Sequence, residues 1–242
     1  MNAGDGKLTK RDSAGTDIDS FLAKVAATPS VKPAGQRGRL IFALDATASR
    51  QPMWDHAAQI QGEMFVETAA LGGLEIQLCF YRGFGEFKVS PWLHRSEDLL
   101  RMMTSVFCAA GQTQIGKVLQ HAVNETRHHK VDAMVFVGDC VEEDVDALGA
   151  AAGQLGVLGV PAFLFHEGAD PIAAFAFQQI AKLTGGAYCR FDATSAHVLK
   201  DLLSAVAVFA AGGRAALEDL AGRRGDDVRL IAHQIAGKGG KS

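Results

Sequence analysis

The feature that most narrows what this chain can fold into is a change of rhythm along it. Short unbroken apolar runs alternate with longer stretches whose apolar residues recur at helical spacing. Runs at 40–44, 74–81, 131–138, 160–165 and 188–191 read as strands, and most are too apolar to leave one face in water. A Gly83/Gly85 turn leads from the second of these into a short run at 86–89, an antiparallel edge hairpin. Helical spacing covers 54–71, 96–107 (opened by Ser96), 115–128, 144–155, 172–183 and 195–211. The order βαββααβαβαβα predicts an α/β fold: a doubly wound, mostly parallel six-stranded sheet with one antiparallel edge strand and helices on both faces.

This pattern fills residues 38–212 and sets the expected domain. Residues 1–37, rich in Gly, Ser, Thr, Lys and Asp, read as a mobile arm with one short helix near 21–27. Residues 213–242 read as a C-terminal extension, helical over 214–235, with a frayed tail. The 24 basic and 27 acidic residues give a formal charge of -3, so no global attraction to nucleic acid or an anionic membrane is expected. The most membrane-like stretch, 147–165, carries Gln154, Pro161 and several glycines, and reads better as a helix followed by a buried strand. Cys79, Cys108, Cys140 and Cys189 lie far apart with no CxxC pair, and no apolar signal segment opens the chain, so a reducing, cytoplasmic setting is expected.

In an open sheet of this kind ligands bind beyond the carboxyl ends of the strands. Two such loops open on an aspartate: Asp45-Ala46-Thr47-Ala48-Ser49 after the first strand, and Asp139 after the run at 131–138. Thr113, in Gly111-Gln112-Thr113, opens a helix between them. Asp45, Thr47, Ser49, Thr113 and Asp139 together form an all-oxygen donor set, which suits a hard divalent cation: magnesium first, or manganese or calcium. Taken singly, Thr47 or Ser49, Thr113 and Asp139 could each instead cap a helix.

DxTxS after the first strand, a threonine opening a later helix and an aspartate ending a central strand resemble a von Willebrand factor A domain with a metal-ion-dependent adhesion site. The resemblance spans about residues 39–211. It implies hydroxyl ligands from Thr47, Ser49 and Thr113, with Asp45 and Asp139 acting mainly through water. It further implies a non-catalytic binding module of bacterial intracellular type, whose cation takes an Asp or Glu from a protein partner, in the assembly or regulation of an ATPase or chaperone-like machine. The chain departs from the family pattern at Thr47, where serine is usual, at Gln112, where a second glycine is common, and at Gly138 and Cys140 on either side of Asp139.

Other readings compete. Gly111 to Lys117 spells GxxxxGK, part of a phosphate loop for nucleotide binding or hydrolysis, but Val118 stands where a metal-holding hydroxyl belongs, and a helical pattern precedes the loop. Asp45 as a phosphoryl nucleophile lacks a second acid, since Thr47 occupies that place. A metal-free scaffold that merely keeps the fold is a third option. Cys140 reads as a packing residue. Glu142, Glu143, Asp144 and Asp146 read as an acidic helix N-terminus, Tyr81, Arg82 and Phe84 as packing or partner contacts, and Arg224-Gly225-Asp226 as a chance turn.

Overall fold

The computed structural model describes residues 20–28 (except 22 and 26), 36–191 and 196–223. Six strands form one sheet: β1 (Gly38–Asp45), β2 (Leu74–Arg82), β3 (Glu86–Val89), β4 (Ala133–Gly138), β5 (Ala162–Glu167) and β6 (Ala187–Phe191). Their spatial order is β3-β2-β1-β4-β5-β6, parallel throughout except for β3, which runs antiparallel to β2 at the edge. The expected fold class is therefore the observed one. The chain moves outward from β1 to β2 and then returns to lay β4 on the other side of β1. That reversal opens a crevice at the carboxyl ends of β1 and β4.

Among the described residues, besides the helical residues around 21, seven helices cover the sheet: α1 (Gln51–Ile60), α2 (Gly62–Thr68), α3 (Ser96–Thr104), α4 (Ile115–His128), α5 (Val145–Val157), α6 (Pro171–Thr184) and α7 (Ala196–Arg223). Alternation along the central strands divides the core. Leu40, Phe42 and Leu44 face α1, α2, α3 and α7, whereas Ile41 and Ala43 face α4, α5 and α6. Among the described residues no helix is long and apolar enough to cross a membrane.

Several element boundaries differ from expectation for local reasons. The pattern at 54–71 is two helices and a 3-10 turn, joined across Gln61. Ser96 is the first residue of α3 and makes no cap; the capping position is Arg95, without a side-chain cap bond. The closing helix runs on to Arg223, broken at Gly213 (φ 69°, ψ -163°), and Leu217 and Leu220 beyond the break are buried. The segment around residue 21, expected within a mobile arm, packs on the core instead. Phe21 and Val25 are fully buried, and the Phe21 ring meets Phe163 and Phe165 edge-on at 6.1 and 5.3 Å. Burying such a side chain contributes about 2 kcal/mol, enough to hold a short helix in place. The rest of the arm up to residue 35, residues 192–195 and the expected helical segment and tail at 224–242, with Arg224-Gly225-Asp226, lie outside the described residues.

Candidate metal centre

From Leu40 on, β1 is apolar and buried up to its last residue, where Asp45 enters the crevice with only 2% of its surface exposed. Its Oδ1 accepts the Thr47 N–H at 2.7 Å, which turns the chain into a 3-10 segment, Ala48–Arg50, leading to α1. Its Oδ2 is buried with no hydrogen-bond partner among the described residues. Burial pushes the Asp45 carboxyl above its usual range; the Thr47 bond pulls the other way, and the neighbouring Asp139 charge adds to the rise. Tyr81, its register partner on β2, is fully buried, and its hydroxyl lies near the Asp45 carboxylate without bonding to it. Burial first, and the Asp45 charge second, hold that phenol well above its usual range. Tyr81 is thus part of the core and offers no contact surface.

Asp139 leaves β4 directly opposite. Its Oδ2 accepts the Ser49 hydroxyl at 3.1 Å, and its Oδ1 is a second buried oxygen without a partner among the described residues. The same Oδ2 lies 3.8 Å from Arg50 Nη1, which also donates to Glu167 at the end of β5. The Arg50 side chain is 3% exposed, and its Nε and Nη2 are unpartnered among the described residues. Cys140 Sγ and one carboxylate oxygen each from Asp45 and Asp139 all lie within 4.8 Å of one another. Cys140 is half-buried at the rim, not a core packing residue as expected. Burial, and after it the Asp139 charge, push its thiol up to about 12.

Thr113 is tied to the loop that follows Asp139. Its N–H donates to Glu142 Oε2 and its hydroxyl accepts the Glu142 N–H, both at 3.0 Å. Glu143 accepts the Ile115 and Gly116 amides at 2.5 and 2.8 Å. Glu142 and Glu143 therefore satisfy the start of α4, whereas only Asp144 caps the helix that follows them, accepting the Ala147 N–H at 2.8 Å. This corrects the reading for Glu142 and Glu143, whereas Asp144 and Asp146 do stand at an acidic helix N-terminus. It also bears on the phosphate-loop reading, because the amides that would cradle a phosphate already hold carboxylates. Lys117 Nζ donates to Gly85 O and Gln114 Oε1 at 3.0 and 2.8 Å, and the element before the loop is a helix, α3.

Close backbone contact fixes the loops around the crevice. A Cβ on Gly111 would lie 2.2 Å from the Gly83 carbonyl oxygen, so only glycine lets the 105–114 loop reach the β2–β3 turn. Arg82 Nη1 donates to Phe107 O at 2.7 Å across the same junction, and Ala109 N–H donates to Ala46 O at 3.0 Å. Phe84 and Phe107, on these two loops, are 84% and 74% exposed.

Hydrogen bonds thus join Asp45 to Thr47 and Ser49 to Asp139, the two carboxylates meet across the crevice, and Thr113 is bound to the 139–143 loop. Arg50, Cys140 and Glu167 were absent from the expected set. Arg50 and Cys140 stand directly beside expected donors in sequence, and Glu167 ends a parallel strand, so the strand-end rule extended one strand further would have found it.

No family model and no curated protein matches the sequence. Solved structures do resemble it. The SpRpn10 VWA domain superposes with a TM-score of 0.55 at 14% identity, over 69% of this chain and 94% of that one. Proximal thread matrix protein 1 from the mussel byssus, described with a zinc-occupied MIDAS motif, gives 0.57 at 16% identity over 72% of this chain, which spans just 46% of that one. The vWF domain of the type V pili tip protein Mfa5 from Porphyromonas gingivalis gives 0.55 at 10% identity, over 72% and 96%. In element order, sheet topology and these likenesses, the chain has the fold of a von Willebrand factor A domain.

Proposed function

We propose that the crevice holds a divalent cation and that the bound cation completes its coordination with an Asp or Glu of a partner protein. The chain then acts as a binding module with no catalysis of its own. The observation that carries this reading is the meeting of Asp45 and Asp139, from strands distant in sequence, each with a buried carboxylate oxygen that has no hydrogen-bond partner among the described residues. A buried carboxylate oxygen without a partner is costly, and a cation removes that cost. Ser49 already touches Asp139, and the Thr113 hydroxyl, accepting one N–H, keeps a lone pair for an ion. With Thr47 and the two aspartates these are the residues that would hold it, and the ion would supply an electrophilic point for an incoming carboxylate.

Exposed Phe84 and Phe107 give a partner apolar anchors on the loops that border the crevice. The likeness to VWA domains, one of them described with a metal-occupied MIDAS motif, supports the same reading. A cytoplasmic setting and a role in assembling or regulating an ATPase or chaperone-like machine belong to it as well. The four cysteines, all free thiols, agree with a reducing compartment.

The test is linkage. At about 100 times its dissociation constant, a bound ion stabilises the native state by about 2.7 kcal/mol, which raises the melting temperature of a chain this long by about 5–10 °C. Manganese should produce that rise in the parent and not in Asp139→Ala. Equal behaviour of the two proteins would show the site to be misassigned.

A further inference from the structure

We propose that Cys140 is a direct metal ligand and that its sulfur makes this crevice a site for zinc-class ions in preference to magnesium. The inference rests on the reading that a cation binds here, and it names the class of ion. Among the four cysteines Cys140 alone belongs to the group. Cys79 and Cys189 are buried in the core, and Cys108, also half-buried, is not part of the Asp45, Asp139 and Cys140 cluster.

The geometry is close to a coordination shell. On a tetrahedral zinc ion, with oxygen at about 2.0 Å and sulfur at about 2.3 Å, two ligand atoms lie roughly 3.5 Å apart. The three donor atoms here are within 4.8 Å of one another, so a shift of about 1 Å closes the shell. Independently, Asp45, 2% exposed, keeps its Oδ2 buried with no hydrogen-bond partner among the described residues.

The charges favour the same class of ion. Asp139 shares its Oδ2 with Ser49 and lies 3.8 Å from the buried Arg50 guanidinium. Any divalent ion loses attraction to a carboxylate already shared with a guanidinium, and magnesium has only such oxygen ligands to bind by. Zinc and cobalt gain a sulfur bond that magnesium cannot use. As that bond forms, the Cys140 thiol releases its proton to solvent and the thiolate electron pair goes to the metal. The anionic sulfur offsets the positive charge of Arg50 within the site.

Titration of the metal-free protein with Co2+ reads sulfur ligation directly. A near-ultraviolet thiolate-to-cobalt charge-transfer band is expected in the parent and in Cys108→Ser, and is expected to vanish in Cys140→Ser. Zinc should abolish the band by displacing cobalt, and an equal concentration of magnesium should not. Zinc affinity of Cys140→Ser should fall by at least the 10- to 100-fold, about, that loss of an outer-shell partner costs. In case Cys140→Ser does not fold, alkylation of the parent provides a second readout: zinc should slow modification of Cys140 and leave Cys108 unchanged. Cobalt bound in equilibrium dialysis without the band, a band that survives in Cys140→Ser, or zinc-independent alkylation of Cys140 would overturn the inference and leave the metal reading standing. An absence of bound cobalt in dialysis would overturn both.

Discussion

At Arg50 a guanidinium 3% exposed contacts Glu167 and lies 3.8 Å from Asp139 Oδ2, so it stands where a bound cation would draw on the same carboxylate. In the metal-free protein Arg50→Met leaves these two acids without a counter-charge. Because both remain partly exposed, the cost is at the lower end for a broken buried pair, about 3 kcal/mol, or about 6–12 °C in melting temperature. Saturating manganese should narrow the gap between variant and parent by supplying the missing positive charge. A gap that manganese leaves unchanged would mean that Arg50 and the ion do not share Asp139. The five residues expected as donors were readable as candidates because each stands in a loop at a strand end or helix start, where ligands to such a sheet gather. Arg50 and Glu167 were not, because they meet only once β5 is laid beside β4 and α1 turns back over the rim.

Helix α4 is stabilised at its start by another segment's side chains. Glu143→Ala removes the acceptor for the Ile115 and Gly116 amides and should cost about 2 kcal/mol, or about 4–8 °C in melting temperature. A loss as small as that of an exposed surface substitution would contradict the cap. Capping from a distant loop leaves no local signal, which is why these glutamates read as belonging to the next helix. Farther along α4, His121 Nε2 lies 2.8 Å from Gln77 Oε1, with Phe87 edge-on at 5.8 Å. Burial lowers its pKa below 6.5, while the Glu125 charge opposes the shift. As pH falls through 6.5 the unfolded chain takes up this proton before the folded one, so His121 makes stability decline toward acid. Denaturant unfolding between about pH 7.5 and 5.5 should show a steeper loss in the parent than in His121→Gln; identical slopes would contradict this account of the α4 face against β2.

Over the whole molecule, what matters for function is the reversal of strand order between β1 and β4, because it brings Asp45 and Asp139 to one crevice. Periodicity gave the number and type of strands, and the continuous apolar runs showed that the sheet is covered on both faces. It could not show that Phe21 and Val25 close one of those faces, since a short amphipathic turn inside a polar arm has no local reason to dock. Nor could it show that Gly111 meets Gly83, a contact between loops far apart in sequence. The proposed function requires that this crevice bind one cation between the two aspartates. Crystals soaked in manganese and measured at an anomalous wavelength test it most directly. A single strong anomalous peak in bonding or one-water contact with Asp45 and Asp139 is expected; well-ordered loops at 45–50 and 139–143 with no peak between them would refute cation binding here.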